Sequence, residues 1–380
     1  MKRSTDRILV THTGSLPRPQ QLEELMFAKL DGEPYDEAEL AREVRAAVHD
    51  CVQRQAAAGI DVVCDGEMSR EGMQYVRDHM EGFGGESKPF RASDLAEFPD
   101  AVARMLRQSD GMQHMRTPAC TGAIKYRDLD WMQADIDTFR AALADVEVEE
   151  GFITVTSPGT VAQLIDNQHY ESRDAYLTVL ADAIKVQCDA IVDAGFVVQM
   201  DACDLPMEYH VDFQDVSRAE AHALLEANVE AINRAVADVP PDMVRLHVCW
   251  GNYAGPHHHD VPLAEIMDLI VACKTGAISF PAANPRHEHE WRAWEGVDLP
   301  TGTILIPGVI DTLSTFVEHP QLVADRLQRY IDLVGVENVM ASTDCGFGTF
   351  VGFSAVSFDV AYAKLAALAE GATLASPAMV

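Results

Sequence analysis

Ala194-Gly-Phe-Val-Val-Gln-Met-Asp201 repeats the pattern of an earlier stretch, Ala58-Gly-Ile-Asp-Val-Val-Cys-Asp65. In both, a helical pattern stops at a glycine, an apolar strand follows, and the strand closes on an acid. Strands that are apolar throughout are typical of a parallel sheet whose faces are covered by helices. The repeated stretch therefore predicts units of helix and strand that build an α/β protein.

Nine strand-like runs recur along the 380 residues, and helical patterns separate most of them. This repetition, with polar residues gathered at strand ends, favours a TIM (β/α)8 barrel over an open sheet. Because such a barrel has eight strands, we assign 117–126 to an inserted hairpin. We predict one catalytic barrel over 1–380, with 84–126 as an insertion or lid and 84–115 as an irregular excursion over the mouth. The runs begin at Ile8 and Ile60 and then cover 117–126, 152–157, 196–201, 244–249, 277–280, 303–310 and 338–343.

Helix signals support this alternation. Residues 36–58 follow a helical pattern that stops at Gly59, and a second helix is predicted over about 172–194. Ser217-Arg-Ala-Glu220 is a capping box that predicts the start of another helix.

Composition narrows the class of protein and of partner. Hydrophobic residues make up 48% of the chain, which is ample for a core, and no apolar run reaches 18 residues. The net charge of −31 argues against nucleic acid and anionic membranes as partners. The N-terminus lacks a signal-peptide core, so we expect a cytoplasmic protein. Its eight cysteines have no framework spacing, which indicates reduced thiols, a few of them available for metal.

A candidate metal site begins in Arg245-Leu-His-Val-Cys-Trp-Gly-Asn-Tyr253. His247 and Cys249 are two residues apart on a predicted strand, so they face the same side. An imidazole and a thiolate are a usual first pair of zinc ligands, although both residues are also common in cores. Cys345, which follows another short apolar run, is a third ligand of the right type. The predicted metal ligands are therefore His247, Cys249 and Cys345.

Other polar residues follow the predicted strands. The carboxyl ends of the strands form the active site of a TIM barrel, and several acids meeting there would be costly to bury without a ligand. About half of these acids are expected only to cap the helices that follow them. The residues at the strand ends are Ser15, Asp65, Glu67, Asp201, Asp204, Asp311 and Asp344.

Two further motifs, His257-His-His-Asp260 and Arg286-His-Glu-His-Glu290, are rival metal clusters by composition. Both are predicted in loops near the barrel mouth. A solvated or helix-capping role is the better interpretation of each.

The strand-end motifs closely resemble the cobalamin-independent methionine synthase family, in its short members with a single catalytic barrel. The resemblance covers nearly the whole chain. It implies Zn²⁺ held by His247, Cys249 and Cys345, and methyl transfer to homocysteine or a similar amino-acid thiol. It also implies that Ser15, Glu67 and Asp201 bind the polar end of this thiol, and we group Asp204 with them. The matching motifs are His12-Thr-Gly-Ser-Leu-Pro17, Asp65-Gly-Glu67, Met200-Asp201, His247-Val-Cys249, Gly308-Val-Ile-Asp311 and Asp344-Cys-Gly346.

The chain departs from the family pattern at two positions of the site. Pro281 stands where the family has a zinc-binding glutamate, so a fourth ligand would have to come from Glu288, His289 or Asp311. Leu313 stands where the family has an acid histidine. We therefore name Asp311 and the nearby His319 as catalytic candidates. The N-terminal half of the long family members is also absent, so a folate donor is not supported.

Three other functions stay open at this point. Epoxyalkane:coenzyme M transferases look like relatives, which suggests a zinc thiolate that opens an epoxide. A uroporphyrinogen decarboxylase-like barrel would need no zinc, and a non-catalytic thiol or metal binder would show no turnover. We rank an amino-acid thiol first because carboxylates attract an ammonium group and repel a sulfonate. The expected partners are a small thiol and an alkyl donor, and a homo-oligomer is compatible with the sequence.

Overall fold

The computed structural model describes residues 1–107, 111, 114 and 116–376. Eight parallel strands form one sheet in the order β1-β10-β9-β8-β7-β6-β5-β2, and helices pack around it. This arrangement is the predicted TIM barrel. The strands are β1 Leu9–Val10, β2 Val62–Val63, β3 Met80–Gly84, β4 Ala119–Tyr126, β5 Glu150–Thr156, β6 Val197–Asp201, β7 Val244–His247, β8 Ala277–Pro281, β9 Ile304–Ile310 and β10 Met340–Thr343.

Several helices begin after a residue whose side chain caps the first helical turn. Asp36, Ser172 and Ser217 each accept a hydrogen bond from a backbone N–H of the first helical turn, which confirms the capping signal at Ser217. No helix among the described residues is both long and apolar enough to cross a membrane. The helices are α1 Gln20–Asp31, α2 Glu37–Ala57, α3 Gln74–His79, α4 Ser93–Ala96, α5 Pro99–Arg107, α6 Asp130–Leu143, α7 Pro158–Leu164, α8 Arg173–Asp193, α9 Asp204–Met207, α10 Arg218–Ala235, α11 Met267–Ala272, α12 Pro320–Val334 and α13 Phe358–Ala375.

The barrel closes at a seam between its two shortest strands, β1 and β2. The backbone N–H of Asp61 donates to the carbonyl of Val10, and the Asp61 carboxylate accepts from the N–H of Val10, both at 2.9 Å. Thr11 Oγ1 also donates to the carbonyl of Val62 at 2.9 Å. Side chains therefore complete a seam that two-residue strands cannot close with a backbone ladder alone.

The strand predicted from Ile60 to Glu67 is shorter than expected. Only Val62–Val63 pairs as a strand, and Asp65-Gly66-Glu67 forms a turn in which Gly66 and Glu67 have φ of 67° and 58°. A non-glycine residue in this region is strained and is often functional. Because of this turn, the Glu67 side chain points in a different direction from the one that a continued strand would give it.

The predicted hairpin lies outside the barrel. Strands β3 and β4 pair with each other in a separate antiparallel sheet, so 117–126 contributes no barrel strand. The hairpin begins at Met80, before residue 84. The excursion is also less irregular than predicted, because α4 and α5 lie within it. In α5 the half-buried Val102 and Met105 are three residues apart, the spacing of one helix face.

A polar layer fills the barrel interior below the strand ends. Arg245 is 1% exposed; its Nε donates to Gln199 Oε1 at 2.7 Å, and its guanidinium lies 3.4 Å from the centre of the Phe152 ring. Gln199 Nε2 in turn donates to Asp201 Oδ1 at 2.7 Å. This chain of hydrogen bonds fixes the carboxylate of Asp201 at the end of β6.

Candidate metal and substrate site

Strands β7 and β10 bring the three predicted metal ligands together at the carboxyl end of the barrel. The ligand atoms of His247, Cys249 and Cys345 all lie within 4.8 Å of one another, and the two Sγ atoms are 3.7 Å apart. Nδ1 of His247 lies 3.3 Å from Ser279 Oγ on the adjacent strand β8. The buried Nε2 of His247 has no hydrogen-bond partner among the described residues.

This geometry fits a tetrahedral metal. Two thiolates on one zinc ion stand about 3.8 Å apart, given Zn–S bonds of about 2.3 Å. The unpartnered Nε2 could supply an imidazole ligand, while Nδ1 lies beside the hydroxyl group of Ser279, an arrangement usual for metal-bound histidines. The donor set of two sulfurs and one nitrogen therefore suits zinc.

A third cysteine, Cys203, lies beside this site. Hydrogen bonds from Cys203 and Cys345 lower the pKa of Cys249 well below that of an ordinary thiol. The same contacts with Cys249 raise the pKa of the other two thiols. Sequence reasoning did not assign Cys203, although it comes two residues after Asp201 at the end of β6.

Pro281 ends β8 and faces the cavity next to the metal ligands. The loop after it is fastened to β10 by Asp344: Oδ1 accepts from the N–H groups of Ala282 and Ala283 at 2.8 Å, and Oδ2 accepts from the backbone and side-chain nitrogens of Asn284. These four hydrogen bonds hold the loop in place, so it cannot swing a later residue into the ligand position without breaking them.

The candidates for a fourth ligand lie in different surroundings. Glu288 pairs with Arg326 and Arg329 at 3.3 and 3.4 Å, and His289 is exposed. Asp311 lines the cavity, and its Oδ1 accepts from the N–H of Leu313. Of these candidates, Asp311 shares the cavity with the cysteines.

A cavity of about 550 Å³ opens beside the metal ligands. Its volume is within the range of small-molecule sites. The residues that line it include Cys249, Trp250, Asn252, Tyr253, His257, Pro281, Asn284, Arg286, His287, Asp311, Leu313 and Cys345.

The predicted substrate-binding residues Ser15, Glu67 and Asp201 come from three different strand ends. A Cβ added at Gly346 would lie 2.0 Å from Ser15 Oγ, so this hydroxyl lies against the residue that follows Cys345. Asp201 is the register partner of the ligand His247. Burial raises the pKa of Asp201 to about 7, and Glu67 adds to this shift while His247 opposes it.

Glu67 lies near a cation. Burial raises the pKa of its carboxyl group, and the guanidinium of Arg70 opposes that shift. Arg70 NH1 donates to Thr154 Oγ1 at 2.9 Å, and its buried Nε has no hydrogen-bond partner among the described residues. Two carboxylates, Glu67 and Asp201, and the guanidinium of Arg70 therefore lie close enough to influence one another's charge at the strand ends.

Two predicted site residues hold other positions. Asp204 is fully buried, and its carboxylate accepts hydrogen bonds from Ser157, Thr160 and Asn228 at 2.5–2.8 Å. His319 is exposed and caps α12, with Nδ1 accepting from the N–H of Gln321 at 3.1 Å. Both side chains accept hydrogen bonds from residues around them, so we place neither in the candidate site.

The two histidine-rich motifs meet at the cavity wall. Asp260 Oδ2 lies 3.0 Å from His257 Nδ1 and 2.9 Å from His287 Nε2, and His287 Nδ1 lies 2.7 Å from Glu290. Burial alone would lower the pKa of His287, but hydrogen bonds to Asp260 and Glu290 raise it to about 9. The expectation of a solvated or capping role is thus wrong for these residues, while His258 and His259 are exposed.

The protein is therefore a TIM barrel with two thiols and an imidazole grouped at its strand ends, a donor set that could hold a metal ion. A family model described as the catalytic domain of cobalamin-independent synthase matches residues 8–366. The chain belongs to this family of enzymes, as the strand-end motifs predicted.

Similar proteins match this chain over most of both lengths. A methionine synthase of Saccharolobus solfataricus is 27% identical over 365 residues, which are 95% of this chain and 92% of that protein. One from Sulfolobus acidocaldarius is 26% identical over 90% of this chain and 87% of that protein. A solved B12-independent methionine synthase from a Shewanella species, in complex with selenomethionine, has a TM-score of 0.73 at 19% identity over 97% of both chains. This last likeness supports the fold.

Proposed function

We propose that this protein is a zinc-dependent methyltransferase that methylates homocysteine or a similar amino-acid thiol. The observation that carries the proposal is the ligand cluster of His247, Cys249 and Cys345 beside a cavity of about 550 Å³. The names of the relatives from Saccharolobus and Sulfolobus support the methionine synthase reaction.

The three ligands would hold Zn²⁺, which lowers the pKa of a bound thiol and so supplies a thiolate at neutral pH. The chain's own contribution is to orient the reactants. In the overall reaction, a bond forms between the thiol sulfur and the methyl carbon, and the thiol proton is released. The bond between methyl and donor breaks, and its electron pair stays with the donor.

The charges near the ligands favour an amino-acid thiol. Carboxylates at Glu67 and Asp201 would bind an ammonium group, and Arg70 offers a partner for a carboxylate. The guanidinium of Arg70 would attract a sulfonate such as that of coenzyme M, but the carboxylates of Glu67 and Asp201 would repel it. The net attraction of a sulfonate is therefore smaller than that of an amino-acid thiol. This balance is why we place the epoxide-opening reaction second.

The cavity supports a role for Asp311 on the donor side. Asp311 lies among the residues that line the cavity with Cys249 and Cys345, so a donor that fills the cavity would contact it. Its N–H donates to Glu318 and its Oδ1 accepts from Leu313, which limits its motion. We assign it to proton transfer to or from the departing group, which is work for a general acid or base.

Metal analysis of Cys249→Ser and Cys345→Ser tests the proposal. We expect the parent to hold about one tightly bound zinc per chain, and each variant to lose most of it, because one thiolate bond is removed. Both variants should also lose methyl transfer to homocysteine. Cys273→Ser is a matched control, since that thiol is buried against the Leu269 carbonyl, outside the ligand cluster. Full zinc content in both site variants would refute the assignment.

A further inference from the structure

A second group of ligand-type side chains lies on the outer surface of the barrel mouth. Glu97 Oε2 lies 3.0 Å from His258 Nε2, and its Oε1 lies 2.5 Å from His259 Nε2. The ligand atoms of all three residues lie within 4.8 Å of one another. In the part of the chain that the structure describes, this cluster and the thiolate site are the two such groups with three or more members.

The loop after β7 directs the imidazoles of His258 and His259 outward. His257 has a left-handed φ of 54°. Both of its ring nitrogens form hydrogen bonds, Nδ1 with Asp260 and Nε2 with the carbonyl of Tyr253. The next two histidines are therefore free of the network inside and project toward the excursion, where they are 37% and 40% exposed.

The excursion presents Glu97 from the other side. Asp94 is fully buried, and its Oδ2 accepts from the hydroxyl group of Tyr253 at 2.9 Å and from the N–H of His257 at 3.0 Å. Glu97 comes three residues later, which places it on the same side of the helical turn. Phe98 packs edge-on against the ring of His258 at 5.4 Å. A buried anchor thus sets the position of the exposed carboxylate.

Ion pairing alone accounts poorly for this cluster. Two ion pairs would require a proton on each imidazole, with the cationic rings only 4.1 Å apart, whereas two neutral rings protonated at Nε2 can each donate a hydrogen bond to the carboxylate. Exposed pairs of this kind stabilise a protein by less than about 1 kcal/mol. The convergence of the three ligand atoms is the stronger observation, because a divalent cation can bind two neutral imidazoles and a carboxylate together.

The donor atoms indicate which cation. Two imidazole nitrogens and a carboxylate oxygen suit zinc and its late first-row neighbours, whereas magnesium and calcium prefer oxygen alone. With bonds of about 2.1 Å, ligand atoms on one tetrahedral ion stand roughly 3.4 Å apart, so the cluster would need to open by less than about 1 Å. We propose that Glu97, His258 and His259 form a second, surface metal site for Zn²⁺ that fastens the excursion to the barrel mouth.

The position of this site gives it a consequence for the cavity. His258 and His259 continue the loop whose earlier residues, from Gly251 to His257, line the cavity. Glu97 belongs to the excursion that lies against this loop. Metal binding would join the two segments and stabilise the contact between them that Asp94 and Glu97 make.

Zinc counting on the full-length protein tests the site. Zn²⁺ titrated in competition with a chromogenic chelator should reveal about two zinc ions per chain in the parent, one tight and one weaker. Glu97→Gln and the double variant His258→Asn/His259→Asn should each lose the weaker equivalent and keep the tight one. His222→Asn is the matched control, because His222 is paired with Asp268 at 3.0 Å and belongs to no ligand group of three or more among the described residues.

Cobalt separates this result from a failure of the proposed function. Co²⁺ bound by thiolates gives intense charge-transfer absorption, whereas Co²⁺ bound by imidazole and carboxylate does not. Loss of the weaker equivalent without loss of that absorption would support the surface site, whatever reaction the thiolate site performs. If the double variant binds as many zinc ions as the parent, the surface site is refuted.

Protease sensitivity gives an independent measurement of the fastening. Arg91 and Arg104 are exposed on the excursion, so trypsin can cut there when it separates from the mouth. Added Zn²⁺ should slow these cuts in the parent and in His222→Asn, but not in the double variant. Equal protection by Zn²⁺ in the double variant would show that the metal acts elsewhere.

Discussion

Pro281 would set the charge of the proposed metal site, whose cavity it lines. Zinc held by two thiolates and one imidazole has a formal charge near zero, and an added glutamate would make it about −1. The proline offers no ligand atom, and the loop after it is held by Asp344. A zinc ion held by His247, Cys249 and Cys345 would therefore stay more electrophilic than one with a glutamate ligand, and would leave a position for the proposed substrate thiol.

Conversion of Pro281→Glu should tighten zinc binding, because the variant gains one bond and one anion at the metal. About tenfold tighter binding, or roughly 1.4 kcal/mol, is expected in competition with a chelator. Glutamine has nearly the same size as glutamate but no charge, so the Pro281→Gln variant should bind zinc about as tightly as the parent does. If the folded glutamate variant holds zinc no more tightly than the glutamine variant, residue 281 does not face the metal.

Glu67 carries the specificity that we propose for an ammonium group. Its strained backbone at φ 58° supports a functional role, since strain of this kind is usually retained for one. Glu67→Gln keeps the shape and removes the charge. It should raise KM for homocysteine by roughly tenfold or more, because a charge-assisted hydrogen bond contributes about 1.5–3 kcal/mol, and it should change kcat much less.

A thiol without an amino group provides the control for Glu67. For 4-mercaptobutyrate, the parent and the Glu67→Gln variant should have similar KM values, since no ammonium group is present to feel the charge. An equal rise in KM for both thiols would indicate general damage to the site. An unchanged KM for homocysteine would remove Glu67 from the binding site.

Among the elements, the loop after β7 and the short helical stretch from Glu288 to Trp294 are joined by ionised side chains. His287 is protonated in the folded protein up to a pKa of about 9, compared with an ordinary value of 6.5. Its stabilising effect is thus fully present below pH 6.5 and is lost as the pH rises through 9. The corresponding free energy of unfolding is on the order of a few kcal/mol.

The His287→Gln variant should be less stable than the parent near pH 6, and the difference should shrink toward pH 9. Urea denaturation across this range measures the free energy of unfolding directly. His289→Gln, an exposed neighbour, should follow the parent at every pH. A constant difference between parent and His287→Gln over the whole range would show that His287 contributes packing and no charge.

At the scale of the whole molecule, the barrel depends on its seam. Asp61 joins β2 to β1 by accepting from the N–H of Val10, and the same carboxylate pairs with Arg7 at 2.6 Å. Asp61→Ala should lower the free energy of unfolding by about 2 kcal/mol, because it leaves a buried N–H without its charged acceptor. It should also speed hydrogen exchange at Val10.

Arg7→Met separates the two contacts of Asp61. It removes the exposed ion pair and leaves the hydrogen bond to Val10, so its effect should stay below about 1 kcal/mol. If Arg7→Met destabilises the protein as much as Asp61→Ala, the ion pair is the main contact at the seam.

The fold and the centre of the site could be predicted because strand ends obey a simple geometry. Parallel strands carry their carboxyl ends to one edge, so His247, Cys249 and Cys345 could be grouped without knowing their distances. The position of His319 could not be predicted, because nearness in sequence to Asp311 does not determine where a side chain points. Pro320 starts a helix there, and the residue before it becomes the cap.

Contacts between loops could not be predicted in the same way. Cys203 follows Asp201 in a turn, where the alternation of strand faces no longer applies. Glu97 meets His258 and His259 only because Asp94 docks the excursion on the mouth. Such docking depends on tertiary packing across more than 150 residues, for which no local pattern exists.

The pairing of β1 with β10 determines when the site can form during synthesis. Strand β1 pairs with β10, as Leu9 opposite Met340 shows, so an early segment of the nascent chain must wait for a late one to leave the ribosome. Cys345 and the hydroxyl of Ser15, which lies against Gly346, meet only at that moment. Metal loading at the proposed thiolate site would therefore require the finished barrel, because Cys345 is the last of the three proposed ligands to be synthesised.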